Sequence, residues 1–75
     1  MYRIRFNKNA FSYPYSFSQI KKNKLGEIIE ISVSMFSYWK SKNLTTAEKK
    51  LKIIKNFYRE NNKQNYINLF EIEEC

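Results

Sequence analysis

The chain has 75 residues, a net charge of +7 at pH 7, no histidine, no aspartate and one cysteine, Cys75. A single cysteine cannot pair within the chain, which argues against a secreted disulfide scaffold. Metal sites and acid–base or nucleophilic catalysis draw mostly on His, Asp, Glu and Cys, and the seven glutamates and seven serines form no recognisable constellation. We therefore expect a non-enzymatic binding or accessory protein without a metal or a cofactor.

The first element is predicted from alternating bulk and charge at the N-terminus. Tyr2, Ile4 and Phe6 alternate with Arg3 and Arg5. This pattern predicts a half-buried strand whose two arginines face outward.

An aromatic segment follows a turn expected at residues 7–9. Extended backbone over residues 11–17 would place four aromatic rings on one face: Phe11, Tyr13, Tyr15 and Phe17. Pro14 cannot donate a hydrogen bond to a neighbouring strand, so the segment is predicted to be an edge strand or an extended loop.

Residues 17–24 allow two interpretations. Ser16 and Gln19 match a capping box, which predicts a short helix ending near Gly26 in a left-handed stop. The alternative is a hairpin strand that turns at Asn23 and Lys24. The capping box makes the helix the preferred prediction.

Residues 27–38 form the most strand-like stretch of the sequence. One side is predicted to face the core and consists of Ile29, Ile31, Val33 and Met35. The stretch continues into an aromatic end with Tyr38 and Trp39, and polar residues at 41–43 close it.

The strongest helix prediction covers residues 46–61, with Thr45 and Glu48 as a capping box and a left-handed stop at residues 61–62. At about 100° per residue, the apolar face comprises Ala47, Leu51, Ile54 and Tyr58, flanked by Ile53 and Phe57. The opposite face comprises Lys49, Lys52, Lys55, Asn56, Arg59 and Lys63. This is the pattern of an amphipathic helix.

The last predicted element is a strand over residues 66–73. Tyr66, Phe70 and Ile72 share one side, and Ile67 and Leu69 share the other. Apolar residues on both sides predict a strand that is covered on both faces or pairs at an interface.

These elements predict a small α+β fold in one domain, residues 1–75. Three or four strands would pack against one long amphipathic helix, with one further short helix if residues 17–24 are helical. A chain of this size buries only about 60% of its unfolded surface, so a partner or a second copy of the chain would add to its stability.

No apolar run reaches the ~20 residues of a membrane span, and the N-terminus lacks the apolar stretch of a signal peptide. We therefore expect a cytoplasmic, reducing location and no membrane partner.

The base composition of the gene can explain part of the positive charge. Lys, Asn, Ile, Tyr and Phe, which have AT-rich codons, make up 41 of the 75 residues. An AT-biased genome, such as that of a phage or mobile element, would raise the lysine content without a nucleic-acid partner. The arrangement is more informative, because residues 1–63 hold all fourteen basic side chains with four glutamates, and residues 64–75 hold three glutamates and no base.

Two groups of cations are candidate contacts for an anionic partner. The helix group comprises Lys49, Lys52, Lys55, Arg59 and Lys63, and the strand group comprises Arg3 and Arg5. Cations that approach phosphates release counterions and add sequence-independent affinity. The alternatives are a solvated lysine-rich helix face and, for the arginines, an ion pair with Glu30 on a neighbouring strand.

Four aromatic residues are candidates for an interface: Tyr13, Tyr15, Tyr38 and Trp39. Aromatic rings beside cations suit base stacking, and they also suit a protein interface. The alternative is that these rings fill the core.

Two classes of function follow. The first is an accessory protein that docks its basic helix face, with Arg3 and Arg5, on nucleic acid or a ribonucleoprotein. The second is a protein-interaction module, such as an inhibitor or regulator from a phage or mobile element, that binds an acidic or apolar patch of a larger protein.

Overall fold

The computed structural model describes residues 1–7 and 15–75 and contains one antiparallel sheet with a long α-helix on one face. The strands are β1 (Tyr2–Phe6), β2 (Ser16–Lys22), β3 (Ile28–Ser34) and β4 (Phe70–Glu74); the helix α1 spans Leu44–Glu60, and a 3₁₀ helix spans Gln64–Leu69. The strand order is β3-β2-β1-β4, so α1 connects the two edge strands. The predicted α+β class, with one long helix, is confirmed.

Residues 8–14 lie outside the described part of the chain. They include Tyr13, most of the predicted turn at 7–9 and most of the predicted aromatic segment.

The core lies between α1 and the strands β1, β2 and β4. The buried apolar side chains are Ile4, Phe6, Phe17, Ala47, Ile54 and Phe70. The Phe6 and Phe70 ring centroids are 4.4 Å apart, and the Tyr58 ring stacks on Phe70 at 5.6 Å. Burial of each large side chain stabilises the fold by roughly 1.5–3 kcal/mol. The predicted alternation of β1 is confirmed for its inward side.

Helix α1 begins earlier than predicted. The carbonyl of Asn43 accepts the first helical hydrogen bond from the Ala47 N–H at 3.2 Å, and Thr45 lies inside the first turn. The Ser41 hydroxyl bonds the Asn43 backbone at both its N–H and C=O and so orients the chain entering the helix. The predicted N-cap at Thr45 is therefore wrong.

The predicted apolar face of α1 is confirmed, because Ala47 and Ile54 are fully buried and Leu51 and Tyr58 pack against the core. The predicted left-handed stop is also confirmed at Asn62, which has φ 58°.

The predicted helix over residues 17–24 is wrong, and the hairpin alternative is correct. β2 pairs with β3, and Ser18 is an extra residue between the pairs Phe17↔Val33 and Gln19↔Ser32. This β-bulge places Phe17 and Ile20 on the same face although they are three residues apart. The match of Ser16 and Gln19 to a capping box was misleading, because both residues lie in β2 and pair with β3.

The hairpin turn is built by a side chain and a glycine. The Asn23 Oδ1 atom accepts hydrogen bonds from the backbone N–H groups of Leu25 and Glu27, at 2.9 and 3.0 Å. Gly26 has φ 82°, a conformation that favours glycine.

A second bulge changes the predicted inner face of β3. Ile29 is the extra residue between the pairs Lys21↔Glu30 and Lys22↔Ile28, and it is 58% exposed. Ile31 and Val33 pack on the core as predicted. The strand ends at Ser34, whose hydroxyl accepts hydrogen bonds from the N–H groups of Phe36 and Ser37, so Met35 lies beyond the strand.

The last strand is shorter than predicted. The backbone over Gln64–Leu69 is a 3₁₀ helix, in which the Tyr66 ring stacks on Tyr58 at 5.3 Å. β4 begins at Phe70, which is buried, and Ile72 packs against the same core. The two-faced apolar pattern of residues 66–73 therefore arises from a 3₁₀ turn followed by a strand.

Candidate binding surfaces

The basic face of α1 is a row of cations that we call the cationic ridge: Lys49, Lys52, Lys55 and Arg59. Lys49, Lys52 and Arg59 are exposed, and Lys55 is half-buried. Lys52 and Arg59 are seven residues apart, which is about two turns, so they lie on the same side about 10 Å apart along the axis. The predicted alignment of these residues on one helix face is thus observed.

The ridge is largely unneutralised. In the described ranges, the only ion pairs join Glu73 to Arg3 and Arg5 and Glu30 to Lys21, so no ridge residue is paired. Glu48 lies one turn before Lys52 on the same side of the helix.

Two further details define the end of the ridge. The Arg59 Nη1 atom donates a hydrogen bond to Asn56 Oδ1 at 3.1 Å, which orients the guanidinium on the helix surface. Lys63 follows the left-handed Asn62 and lies outside α1, so it is not part of the ridge.

Arg3 and Arg5 lie on the opposite face of the sheet. Strand side chains alternate, and the inward neighbours Ile4 and Phe6 contact the core beneath α1. Both arginines face away from the core, as predicted, but they are mostly buried and ion-paired, which corresponds to the structural alternative of an ion pair. Their side chains are only 19% and 11% exposed.

Their partner is Glu73 and not the predicted Glu30. The Glu73 Oε2 atom lies 2.6 Å from Arg5 Nη1 and 3.3 Å from Arg3 Nη2. β1 pairs with β4, while β3 is two strands away, and Glu30 lies 3.5 Å from Lys21 instead. The hydrogen bond from Arg5 holds the pKa of Glu73 below its ordinary value; the charges of both arginines add to this and together outweigh the opposing effect of burial.

Tyr38 belongs to the same side as these arginines. Arg3 Nη1 donates to the Tyr38 hydroxyl at 3.0 Å, and the Arg3 guanidinium carbon lies 5.1 Å from the ring centroid. Lys40 Nζ is also 5.1 Å from that centroid. Burial acts to lower the pKa of Arg3, but the Tyr38 hydrogen bond and Glu73 outweigh it and raise that pKa.

Trp39 lies on the α1 side of the sheet. Its ring packs edge-on to Phe17 with centroids 6.0 Å apart, and Lys50 Nζ lies 5.6 Å from its centroid. Tyr15 packs against the core cluster. The predicted aromatic residues therefore do not form one surface, since Tyr38 and Trp39 face opposite sides of the sheet.

Two clefts separate α1 from the β2–β3 hairpin, because the helix packs mainly on β1, β4 and the 3₁₀ helix. The cleft that we call the Trp39 cleft has a volume of about 360 Å³, with Trp39, Lys22 and Lys50 in its walls. The cleft that we call the Glu60 cleft has about 510 Å³, with Glu27 and Glu60 in its walls. The two clefts meet at the side chains of α1 and β3 that line both, Ile53 and Ile28.

Neither cleft was predictable from the sequence. Each cleft forms because α1 does not extend fully over the β2–β3 hairpin. The position of α1 on the sheet depends on the strand order, which the sequence alone does not determine. Lys50 lines the Trp39 cleft. On the helix it lies between the predicted apolar face and the predicted basic face, so it belongs to neither of them.

In the part of the chain that the structure describes, no three carboxylate or thiol side chains are grouped so that they could hold a metal ion. No helix within these residues is long and apolar enough to cross a membrane. Comparisons with protein-family models, curated proteins and solved structures found no match to this chain.

Proposed function

We propose that this protein is a small non-enzymatic binding protein that docks the cationic ridge of α1 on the phosphates of a nucleic acid or a ribonucleoprotein. The observation that carries this proposal is the set of aligned ridge cations that have no ion-pair partner among the described residues. Unpaired cations can exchange water and counterions for phosphates without first breaking a salt bridge.

The dimensions of the ridge support this docking. Lys49 and Arg59 are ten residues apart, or about 15 Å along the helix axis. One nucleic-acid strand presents about four phosphates over that length, at about 3.4 Å per phosphate. The lysines act as point charges that position the backbone, while Arg59 offers bidentate geometry.

Arg3 and Arg5 are not needed for this proposal. Glu73 offsets their charge on the other face of the sheet, so a phosphate would have to displace an existing charge-assisted hydrogen bond. We therefore assign the affinity to the ridge.

The test measures binding of labelled single-stranded and duplex oligonucleotides by fluorescence anisotropy over a range of salt concentrations. About four phosphate contacts should give a log–log slope of affinity against salt of about −2 to −4. Lys52→Glu combined with Arg59→Glu should abolish binding.

The matched control is Lys24→Glu combined with Lys42→Glu, which makes the same change of net charge at two exposed lysines outside the ridge. This control should retain most of the affinity. An affinity that does not depend on salt, or an equal loss in both double variants, would contradict ridge docking.

A second candidate is the protein-interaction module, and exposed apolar side chains along edge strand β3 favour it. Phe36 and Leu25 flank this strand and are 88% and 82% exposed, and Ile29 within it is 58% exposed. Such side chains are typical of a contact with another protein or a second copy. Partner binding that survives nuclease and high salt, and that Phe36→Ser removes, would support this candidate instead.

A further inference from the structure

We infer that the Trp39 cleft binds a nucleobase, so that the ligand of the cationic ridge is a single strand. This inference rests on the proposed docking of phosphates and specifies the form of the nucleic acid. Three observations carry it: the charge of the cleft, the aromatic ring in its wall and its position beside the ridge.

The charge of the cleft favours an anionic ligand. The residues that line it include two lysines, Lys22 and Lys50, and no carboxylate. The neighbouring Glu60 cleft shows the opposite chemistry, since Glu27 and Glu60 line it without a cation. A polyanion that enters between the hairpin and the helix is therefore attracted to the first cleft and repelled from the second.

The walls of the Trp39 cleft suit a planar aromatic group. The half-buried Trp39 ring is fixed by its contact with Phe17, and the backbone N–H of Trp39 donates to the Phe17 carbonyl at 2.9 Å. Ile20, Ile28 and Ile53 supply the other apolar walls. A volume of about 360 Å³ lies within the range of sites that hold small planar ligands.

The polar groups of the cleft fit a base of any identity. The charged side chains of the cleft, Lys22 and Lys50, carry no pattern of donors and acceptors that would distinguish one base edge from another. Lys50, now over the Trp39 ring, can move its ammonium to the phosphate of a nucleotide whose base takes that place. Stacking without hydrogen bonds to particular base edges gives sequence-tolerant binding.

The cleft and the ridge are continuous on α1. Lys49 in the ridge and Ile53 in the cleft wall are four residues apart, so their side chains are neighbours on the helix surface, and Lys50 lies three residues before Ile53 in the same wall. A strand whose phosphates follow the ridge can therefore turn one base into the cleft. Bases in a duplex are paired and stacked, so the cleft selects single-stranded ligands.

The test compares a thymidine decamer with an abasic decamer that has the same number of phosphates. Trp39 is the only tryptophan, so its fluorescence reports on the cleft. The thymidine decamer should bind about tenfold more tightly and quench Trp39. The abasic decamer should bind through the ridge with the same salt dependence and without quenching.

The outcomes separate the two proposals. Equal affinities without quenching by the thymidine decamer would overturn the base site and leave ridge docking intact. Failure of both decamers to bind would overturn both. A further outcome is that a glutamate decapeptide binds as tightly as the thymidine decamer and quenches Trp39. That result would assign the cleft to an acidic protein segment and overturn the base site.

A matched pair of variants tests the cleft directly. Lys22 and Lys24 are both exposed lysines of the hairpin, but only Lys22 lines the cleft. Lys22→Ala should weaken thymidine decamer binding by about two- to fivefold and leave abasic decamer binding unchanged. Lys24→Ala should change neither. Equal effects of the two substitutions would contradict the base site.

Discussion

At the scale of single residues, the Glu73 carboxylate is shared by two cations. One oxygen of this side chain holds both Arg5 and Arg3 on the face of the sheet away from α1. Arg3 also reaches the Tyr38 hydroxyl, which ties β4, β1 and the segment after β3 together. The loss of one carboxylate would leave two mostly buried guanidinium groups without an anion.

We predict that Glu73→Gln lowers the free energy of unfolding at pH 7 by about 1–2 kcal/mol, a value that allows for the partial exposure of the carboxylate. Urea denaturation followed by circular dichroism measures this. Glu74→Gln is the matched control, because Glu74 is exposed in the same strand and, among the described residues, makes no ion pair. The prediction fails if both variants lose the same stability.

The lowered pKa of the Glu73 carboxylate predicts how the unfolding free energy depends on pH. The Arg5 hydrogen bond is the main reason that the pKa of folded Glu73 is below its ordinary value of 4.5. Its contribution is therefore complete above about pH 4.5 and is lost as the pH falls through the folded pKa. In urea titrations at a series of pH values, Glu73→Gln should lose less stability on acidification than the wild type. Parallel acid profiles would contradict this assignment.

At the scale of elements, helix α1 ends in a Schellman motif that depends on one residue with positive φ. The Lys63 N–H bonds the Tyr58 carbonyl at 2.8 Å, and the Asn62 N–H bonds the Arg59 carbonyl at 3.3 Å. Asn62 supplies the left-handed conformation between them, with φ 58°. This end of the helix orients the chain toward the 3₁₀ helix and β4.

We predict opposite effects of two substitutions at Asn62. Asn62→Gly should raise the thermal midpoint, because glycine adopts this conformation without a steric penalty. Asn62→Ala should lower the unfolding free energy by about 1 kcal/mol. Calorimetry of both variants tests the motif, and a change of the same sign in both would show that the backbone conformation is not the cause.

The hairpin turn offers a comparable test at Gly26. A Cβ atom added there would meet no atom within 4 Å, so Gly26→Ala would cause no clash. The positive φ of 82° should still destabilise the variant, by about 1–2 kcal/mol. Chemical denaturation measures this difference, and an unchanged midpoint would mean that the turn adopts another conformation.

Elements with a regular period were predictable from the sequence, whereas the bulges were not: one lies in β2, which was predicted as a helix, and the other changes one side of the correctly predicted strand β3. Ile54 and Ala47 mark the buried side of α1 because a helix repeats without interruption. The bulge at Ser18 gives Phe17 and Ile20 the same face at a three-residue spacing, and the bulge at Ile29 leaves that side chain exposed. A bulge is set by the pairing of two strands, which local sequence does not contain.

The same distinction applies to the candidate site. The cationic ridge was predictable because it lies on one helix. The pairing of Arg5 with Glu73 was not, because it depends on β1 and β4 being neighbours although they are 68 residues apart at this contact. The Trp39 cleft was also hidden, since it depends on the position of α1 across the sheet.

At the scale of the whole molecule, charge is divided between the two faces of the sheet. The α1 side carries the ridge and the Trp39 cleft, whereas on the other side Glu73 offsets the charge of Arg3 and Arg5. Under the proposed function, a polyanion would approach the α1 side, and this attraction would increase its rate of association at low salt. On this same side, α1 covers the β2–β3 hairpin only partly, and the two clefts lie between them.

The proposed binding of nucleic acid predicts that a bound oligonucleotide raises the thermal stability of the folded protein. A ligand that binds only the folded state at 100 times its dissociation constant stabilises it by about 2.7 kcal/mol. For a domain of this size, that corresponds to a rise in the thermal midpoint of about 10–20 °C. We expect this rise for the thymidine decamer in calorimetry at low salt.

The variant Lys52→Glu with Arg59→Glu separates this binding effect from the intrinsic stability of the fold. Both side chains are exposed, but Lys52→Glu places a like charge one turn after Glu48, and Arg59→Glu puts an anion in the last turn of α1 and removes the hydrogen bond to Asn56. The midpoint without ligand should therefore fall by a few degrees, and the rise with ligand is measured from that lower value. The rise with ligand should disappear, because the ridge loses two cations and gains two anions. If the variant kept the full rise, the decamer would bind elsewhere on the molecule, and the ridge could not be the docking surface.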